Sequence, residues 1–336
     1  DIKVIQTSGM NADAIVAQSI GGNGGTGGLS INGTLSSGQS ATNLAVAIGG
    51  GGGDGGVAGD VLVNNQNTLI ETTGKNSSAI LAESIGGNGG KGGTSISASL
   101  TNAKVQAASL TASVGGGGGI GNEAGDVTVI SNNQASLKDA ETLKDIATIS
   151  TLGDLSHGIA AKSIGGGGGQ GGFAGNFSLN YGNNKGMPGT PQPQSSSLSA
   201  SVTIGGGGGT GNRAGDVYVD STDNIVTKGI NAIGIKAESI GGGGGSGGKA
   251  LDVNINATEG TGIDLGVTLG GKGGSGSLAG QVQVDSEGLI ITKGDYSHAV
   301  YAKSLGGGGG DGGFAVTGSL SSNVATFQAN ASVGGF

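Results

Sequence analysis

The side chains that could act as a general base or bind a metal include two histidines, His157 and His298. Each lies six residues before a serine that introduces a glycine-rich run, and other copies of the repeat carry Asp13, Ser78 or Ile233 at this position. A general base or a metal ligand needs a partner that is fixed beside it. Because the residue changes from copy to copy and no partner is fixed beside it, we interpret the position as a turn or strand start.

A serine introduces each of five glycine-rich runs and is therefore a repeated candidate nucleophile. No Gly-x-Ser-x-Gly elbow surrounds it, and it has no fixed histidine or acid partner. The runs also lack the Gly-Lys-Ser/Thr ending of a phosphate-binding loop, since Lys91 and Lys272 lie inside glycine triplets. We expect the serine to bond the backbone where a strand becomes a glycine arm, and we predict that the chain is not an enzyme. The serines are Ser19, Ser84, Ser163, Ser239 and Ser304.

The tripeptide Ala-Gly-Asp ends in Asp60, Asp126 and Asp216, and Gln281 replaces the aspartate in the fourth copy. The repeated glycine and aspartate invite comparison with calcium-binding nonapeptide repeats, but the spacing differs. Arg213 lies two residues before the glycine and would oppose a cation. We expect the aspartate to cap a turn through its own backbone, and we predict no cofactor, with calcium as the alternative.

The residue before the arm serine alternates in charge over the last four copies, in the order Glu83, Lys162, Glu238 and Lys303. These side chains would be neighbours if the copies stacked in register. An exposed ion pair contributes only about 0–1 kcal/mol. The alternation therefore predicts an inter-repeat charge ladder that sets the register more than it stabilises.

The composition excludes several classes of protein. The 336 residues include 81 glycines but only four tyrosines and five phenylalanines, which does not describe an ordinary globular core. With 15 basic and 23 acidic residues the net charge is −8, so we predict no nucleic-acid partner. Cysteine is absent, which removes disulfides and thiolate chemistry. No apolar run approaches the roughly 18 residues of a membrane span, so we predict no membrane insertion within this sequence.

The glycine-rich runs have a period of three residues, as in the triplets GGG GGQ GG, where a side chain occurs only at the third position. A chain with three residues per turn that packs closely on two of its faces would show this pattern, which predicts polyproline II or polyglycine II arms. A second type of arm follows Ile48, Val114, Ile204 and Leu269. Arms of the first type begin at Gly21, Gly86, Gly165, Gly241 and Gly306.

Segments between the arms alternate between apolar and polar residues, as in Leu251–Ile255, which is typical of strands. We therefore predict an all-β repeat protein, an elongated β-solenoid in which Gly-Gly-X arms alternate with short strands. The array is continuous over residues 1–336, and we expect it to be a segment of a longer chain. Units of about 65 residues lie near 19–83, 84–162, 163–238 and 239–303, with a partial unit at each end.

Two insertions lengthen the regular unit. The one near 132–147 contains Leu137–Asp145, whose charges and helix formers predict one or two helical turns. The one near 176–196 holds all three prolines and is predicted to be an exposed loop. A rigid scaffold carries variable contacts on its loops, so Lys185, Met187 and Pro188 form a candidate partner loop. A tolerated insertion without a role is the alternative.

Three motifs carry a resemblance to a known class of proteins. Ala-Gly-Asp-Val-x-Val, the Thr-x-Gly turn of Thr292–Gly294, and Ile/Val-x-Ala-x-Ser-Ile before a glycine run together resemble the repeats of giant bacterial autotransporter passengers. The resemblance implies an elongated, mostly β passenger that is exported and displayed outside the cell. Such passengers often serve adhesion, aggregation or biofilm formation. The glycine triplets are also similar to the polyglycine II bundles of some phage tail adhesins and glycine-rich antifreeze proteins.

We therefore expect a structural module at the bacterial cell surface that supports adhesion, aggregation or biofilm formation, with self-association into fibres as a further expectation. Its expected partners are neighbouring copies or other surface polymers. The alternative is a ligand-specific recognition module that binds surface glycan through the insertion loops. Ice binding is disfavoured because the third positions of the triplets mix several residue types and form no flat threonine array.

Overall fold

The computed structural model describes residues 3–66, 68–133, 147–182 and 195–336. These residues form 22 strands in four sheets, and neighbouring strands pair in parallel throughout. No helix occurs in these ranges. The strands form where small or β-branched residues alternate with polar ones, which suits a pleated backbone that is buried on one side.

Three of the sheets are built by the same step, in which a strand pairs with the corresponding strand of the next unit. The first sheet contains β1 (Lys3–Thr7), β5 (Thr68–Thr72), β9 (Ile149–Thr151), β14 (Ile225–Thr227) and β19 (Ile290–Thr292). The second contains β2 (Ile15–Ile20), β6 (Ile80–Ile85), β10 (Ile159–Ile164), β15 (Ile235–Ile240) and β20 (Val300–Leu305). The third contains β4 (Val61–Gln66), β8 (Val127–Asn132), β13 (Val217–Ser221) and β18 (Val282–Ser286).

The apolar sides of these three sheets enclose one core. Ile80, Ile159 and Ile235 are register partners in the second sheet and are fully buried. They pack in the same cluster as Val127 and Val217 of the third sheet. Each unit therefore adds one layer of aliphatic side chains to a continuous apolar core.

The fourth sheet, which we call the folded sheet, is different. It contains β3 (Ser30–Ile48), β7 (Ser95–Val114), β11 (Ala174–Gly182), β12 (Ser196–Ile204), β16 (Ala250–Thr258), β17 (Thr261–Leu269), β21 (Ala315–Ser321) and β22 (Ala325–Val333). The strands follow the order β21-β16-β11-β7-β12-β17-β22, with β3 paired to β7. The strands β3 and β7 contain 19 and 20 residues and run through both halves of the sheet, whereas later units have two strands in their place.

The folded sheet overturns the predicted fold class. Its seven-strand path begins and ends with β21 and β22, which belong to one unit, so the sheet is nearly closed. The prediction of an elongated β-solenoid with polyproline or polyglycine II arms and short strands is therefore wrong, although its all-strand, parallel character is compatible with the structure. The physical reason is that β3 and β7 double back, which brings the polar sides of the two halves together. Alternation in the sequence gives a strand but does not say which side is covered.

The glycine arms lie side by side. Along the chain, an arm of the first type connects the second sheet to the folded sheet, and an arm of the second type connects the folded sheet to the third sheet. Arms of one type are linked from unit to unit, as by Gly24 N–H to Asn88 O at 2.8 Å. Arms of the two types are linked by bonds such as Gly53 N–H to Gly25 O, also at 2.8 Å. A Cβ added at Gly166 would lie 2.0 Å from Gly87 O, so a side chain does not fit there.

The second predicted insertion is shorter than expected from the sequence. Ala174–Gly182 forms β11 and Ser196 begins β12, so both ends of the stretch near 176–196 are strand. The helical turns predicted over 137–145 lie outside the described residues. The candidate loop residues Lys185, Met187 and Pro188 lie outside them as well.

Candidate functional site

The residues that occupy the same repeat position as His157 form a chain of hydrogen bonds from each unit to the next. Ser78 N–H donates to Asp13 Oδ1 at 2.5 Å, and His157 N–H donates to Ser78 Oγ at 3.3 Å. His157 Nδ1 then accepts the N–H of Ile233 at 3.1 Å. The side chain of each unit thus accepts a backbone N–H of the following unit.

Burial holds His157 in its neutral form. The pKa of His157 is lowered to about 4, first by burial and then by the positive charges of Lys236 and Lys162. A neutral imidazole is what the bond from Ile233 requires, because Nδ1 must be unprotonated to accept. His298 lies two units further along, where its ring stacks on Tyr301 with centroids 5.9 Å apart. The structure does not bring the two histidines together.

The arm serines use both hydrogen-bonding capacities of the hydroxyl. Ser163 Oγ donates to Gly125 O at 2.9 Å and accepts the N–H of Gly215 at 2.8 Å. Ser84 and Ser239 make the equivalent pairs of bonds. This is the backbone-bonding role that the sequence predicts for the serine, and it leaves the hydroxyl engaged on both sides.

The Ala-Gly-Asp aspartates also bond across units. Asp60 Oδ1 accepts the N–H of Asp126 at 2.9 Å, and Asp126 Oδ1 accepts the N–H of Asp216 at 2.8 Å. Asp216 Oδ1 in turn accepts the N–H of Gln281 at 2.8 Å. The expectation of a cap on the aspartate's own turn is therefore wrong, because the bond reaches the next unit. The described residues contain no group of three or more acidic or histidine side chains placed to hold a metal ion.

The predicted charge ladder residues occupy one register position of the second sheet. Glu83, Lys162, Glu238 and Lys303 are successive Cα partners. Lys162 Nζ lies 3.0 Å from Glu83 Oε1. The carboxylate of Glu238 lies 3.1 Å from Nζ of Lys236 on its own strand.

The first glycines of the first-type arms also occupy equivalent places. Gly21 N–H donates to Ile85 O, and Gly86 N–H donates to Ile164 O, both at 2.8 Å. Gly165 and Gly241 donate to the corresponding carbonyls of the next unit. A Cβ on Gly165 would lie 2.0 Å from Asn212 O, whereas one on Gly306, in the last unit, would lie 3.5 Å from its nearest atom.

The interior of the folded sheet is polar, a feature that the alternation in the sequence does not predict by itself. Asn176 Nδ2 crosses between the halves to Thr203 Oγ1 at 2.7 Å, and the hydroxyls of Ser178 and Ser199 lie 2.8 Å apart. The signal was present in Leu251–Ile255, where polar and apolar residues alternate. Choosing which of them face inward requires knowledge of the fold.

Two carboxylates lie in this interior. Asp252 Oδ2 accepts from Ser201 Oγ at 2.5 Å and from Asn254 Nδ2 at 3.2 Å. Burial raises the pKa of Asp252 to about 6, and these two hydrogen bonds offset only part of the effect. Burial also raises the pKa of Asp264, which accepts hydrogen bonds from Gln328 and Asn256. The cost of an uncompensated buried charge is thus reduced by protonation.

A further buried carboxylate, Asp223, joins the described ends of the first insertion. Its Oδ1 accepts from Asn133 Nδ2 at 2.7 Å and from Thr148 Oγ1 at 2.8 Å. Burial raises the pKa of Asp223. The carboxylate fixes the two points at which the chain leaves and re-enters the regular unit.

The outer side of the folded sheet is apolar. Many of its outward positions carry large aliphatic or aromatic side chains that remain exposed, while most of its serine, threonine, asparagine and aspartate side chains point inward. In a water-soluble sheet sandwich the apolar sides normally face each other. The folded sheet therefore has the reverse arrangement, with its polar side inside and its apolar side outside.

No protein family model, curated protein sequence or solved structure matches this chain. Within the ranges that the structure describes, no helix has the length and apolar character needed to cross a membrane.

Proposed function

We propose that this chain is a structural module of an extracellular surface or fibre that supports adhesion, aggregation or biofilm formation by self-association. The observation that carries the proposal is the consistent in-register pairing of units. Strands, glycine arms, arm serines and Ala-Gly-Asp aspartates all bond to a neighbouring unit. Such an array is stabilised by neighbour contacts and extends by repetition, as a scaffold requires.

The outer side of the folded sheet supports the same proposal. It presents apolar residues to the surroundings. Exposed apolar patches are surfaces through which proteins associate. On the resemblance to autotransporter repeats, we propose display at the bacterial cell surface, with neighbouring copies or other surface polymers as partners.

The proposal is tested by coupling the purified chain to inert beads and measuring bead clustering by microscopy. A second preparation has residues 183–194 replaced by a short Gly-Ser linker, which removes the predicted proline loop. We expect both preparations to cluster, because the surfaces invoked lie outside that loop.

Recognition of surface glycan through the loop is the contrary outcome. In that case the beads would stay dispersed, the chain would bind immobilised bacterial glycans, and the linker variant would lose that binding. Beads that neither cluster nor bind a surface polymer would also contradict the proposal.

A further inference from the structure

The first half of the folded sheet has an outer face formed by five strands in the order β3, β7, β11, β16 and β21. We call it the outer apolar face and define it by outward residues of Ser30–Gly38 in β3, Ser95–Ala103 in β7, and all of β11, β16 and β21. None of these outward positions carries a charged side chain. Eight large side chains on it are 39–75% exposed, namely Ile31, Leu35, Leu100, Phe177, Tyr181, Leu251, Val316 and Leu320.

The size of this face is that of a protein interface. If a large side chain offers about 200 Å² when fully exposed, the eight residues present roughly 800 Å². The largest apolar patch of an ordinary monomer is roughly 300–600 Å². A standard interface takes about 800 Å² from each partner. The outer apolar face is thus large enough for a stable complex.

Small and large residues lie side by side on the outer apolar face. One row across the strands reads Gly33, Ala98, Phe177, Val253 and Gly318, which are register partners. The ring of Phe177 projects and is 44% exposed. Beside it runs a shallow groove of about 360 Å³ that is lined by Gly33, Leu35, Ala98, Leu100, Phe177 and Leu179.

This row is complementary to itself under a two-fold rotation. An axis parallel to the strands, midway between β7 and β11, would place Phe177 of one copy over Ala98 of the other. The same rotation would place Val253 over Gly33. Each large residue then meets a small one, in both directions at once, which is the condition for an isologous interface.

We infer that the outer apolar face is a docking surface for a second copy of this chain, with Phe177 seated in the groove over Ala98 of its partner. The inference rests on the self-association in the proposed function and gives it a surface. Burial of a projecting aromatic ring in an apolar groove is typical of the residues that dominate the binding free energy of an interface.

The test exchanges the large and the small residue that would meet across the interface, Phe177 and Ala98. Sedimentation velocity of the 336-residue chain measures the dimer dissociation constant for the wild type, Ala98→Phe, Phe177→Ala and the double variant. Ala98→Phe makes two rings collide and Phe177→Ala leaves a gap, so each should weaken the dimer by at least about tenfold. The double variant restores a ring over a small residue and should return to within about threefold of the wild type.

Leu265→Ala is the matched control. Leu265 is 40% exposed on the other half of the folded sheet, so its loss should leave the dissociation constant unchanged. Circular dichroism and the melting temperature of every variant verify that the fold is retained, and all of the substituted side chains point outward.

Several results would overturn the inference. These are a wild type that stays monomeric, a double variant as weak as the single ones, or an equal loss in Leu265→Ala. Binding of the monomer to phosphatidylcholine vesicles would show that lipid covers the face instead. If beads still cluster in any of these cases, the docking surface is wrong and the proposed function stands. If they do not, both fall.

Discussion

His157 is a half-buried base whose protonation opposes folding. Its pKa is about 4 in the folded chain, against an ordinary value of 6.5. A group whose pKa is lowered by folding contributes full stability above its unfolded pKa and loses it as the pH falls. The loss therefore develops between pH 6.5 and about 4 and reaches about 3 kcal/mol.

We expect His157→Asn to remove this acid sensitivity, because the amide oxygen can accept the same backbone N–H without taking up a proton. The free energy of unfolding in urea, measured from pH 4 to pH 8, gives the comparison. His298→Asn is the control, because that side chain is exposed. Equal pH profiles for the wild type and His157→Asn would contradict the prediction.

Protonation of Asp252 favours folding, which is opposite to the effect of protonating His157. Its pKa is about 6 in the folded chain, against an ordinary value of 3.8, so the folded state holds a proton that the unfolded state has released. Stability from this group falls as the pH rises from about 3.8 to about 6, by about 3 kcal/mol. Asp252 and His157 thus offset each other in overlapping pH windows.

We expect Asp252→Asn to raise the free energy of unfolding above pH 6 and to change it little below pH 4. The neutral amide avoids the cost of a buried charge while it retains a polar atom for Ser201. Thermal unfolding at pH 8 and pH 4 measures the difference. The exposed Glu259→Gln provides a matched control, and a gain that is the same at both pH values would count against the assignment.

At the scale of elements, the glycine arms are defined by the close approach of their backbones to one another. An added Cβ on Gly166 would lie 2.0 Å from Gly87 O and 2.7 Å from Asn122 N. Both are backbone atoms that cannot move aside. The side chain of Gln170, at the third position of a triplet in the same arm, is exposed.

We expect Gly166→Val to destabilise by about 3 kcal/mol or more, as overpacking against backbone does. Gln170→Ala should change the melting temperature little. Differential scanning calorimetry of the two variants distinguishes them. Equal shifts would mean that the arm glycines are not in close contact.

The elements were more predictable than their arrangement. Alternation indicated strands at Leu251–Ile255, and the triplets indicated arms with a side chain only at every third residue. Neither pattern says that Asp252 and Asn254 point inward while Leu251 points out, because a strand with two alternating sides is consistent with either choice. That choice depends on β3 and β7 doubling back, which involves contacts distant in sequence.

The candidate residues show the same limit. The recurrence of Ser163 and Asp126 at fixed places marked them as structural, and both bond to backbone. The sequence placed the aspartate bond within one turn, whereas it reaches the following unit. Register between units is a tertiary property, and no single copy contains it.

The whole molecule behaves as a row of units, each supported by its neighbours. Val219 and Val284 are register partners in the third sheet. Val219 is fully buried because a unit lies on each side, whereas Val284 in the last unit is only partly buried. Equivalent residues therefore differ in their contribution according to position in the row.

We expect Val219→Ala to cost about 2 kcal/mol and Val284→Ala about half as much. Chemical denaturation of the two variants gives the comparison. Native-state hydrogen exchange of the same strands should show slower exchange in β13 than in β18. Equal costs would imply that the last unit is covered by something outside the row.

The chain of bonds from Asp60 to Asp126, Asp216 and Gln281 runs in one direction only, with carboxylate oxygens facing one end and backbone N–H groups the other. The row of units therefore has a direction, and its two ends are different. Copies that join end to end must keep the same heading, whereas copies that dock through their outer apolar faces about a two-fold axis have opposite headings. Growth in length would preserve direction, whereas each face-to-face contact closes on one partner, so a fibre made by both would be two rows wide, with opposite headings and two equivalent ends.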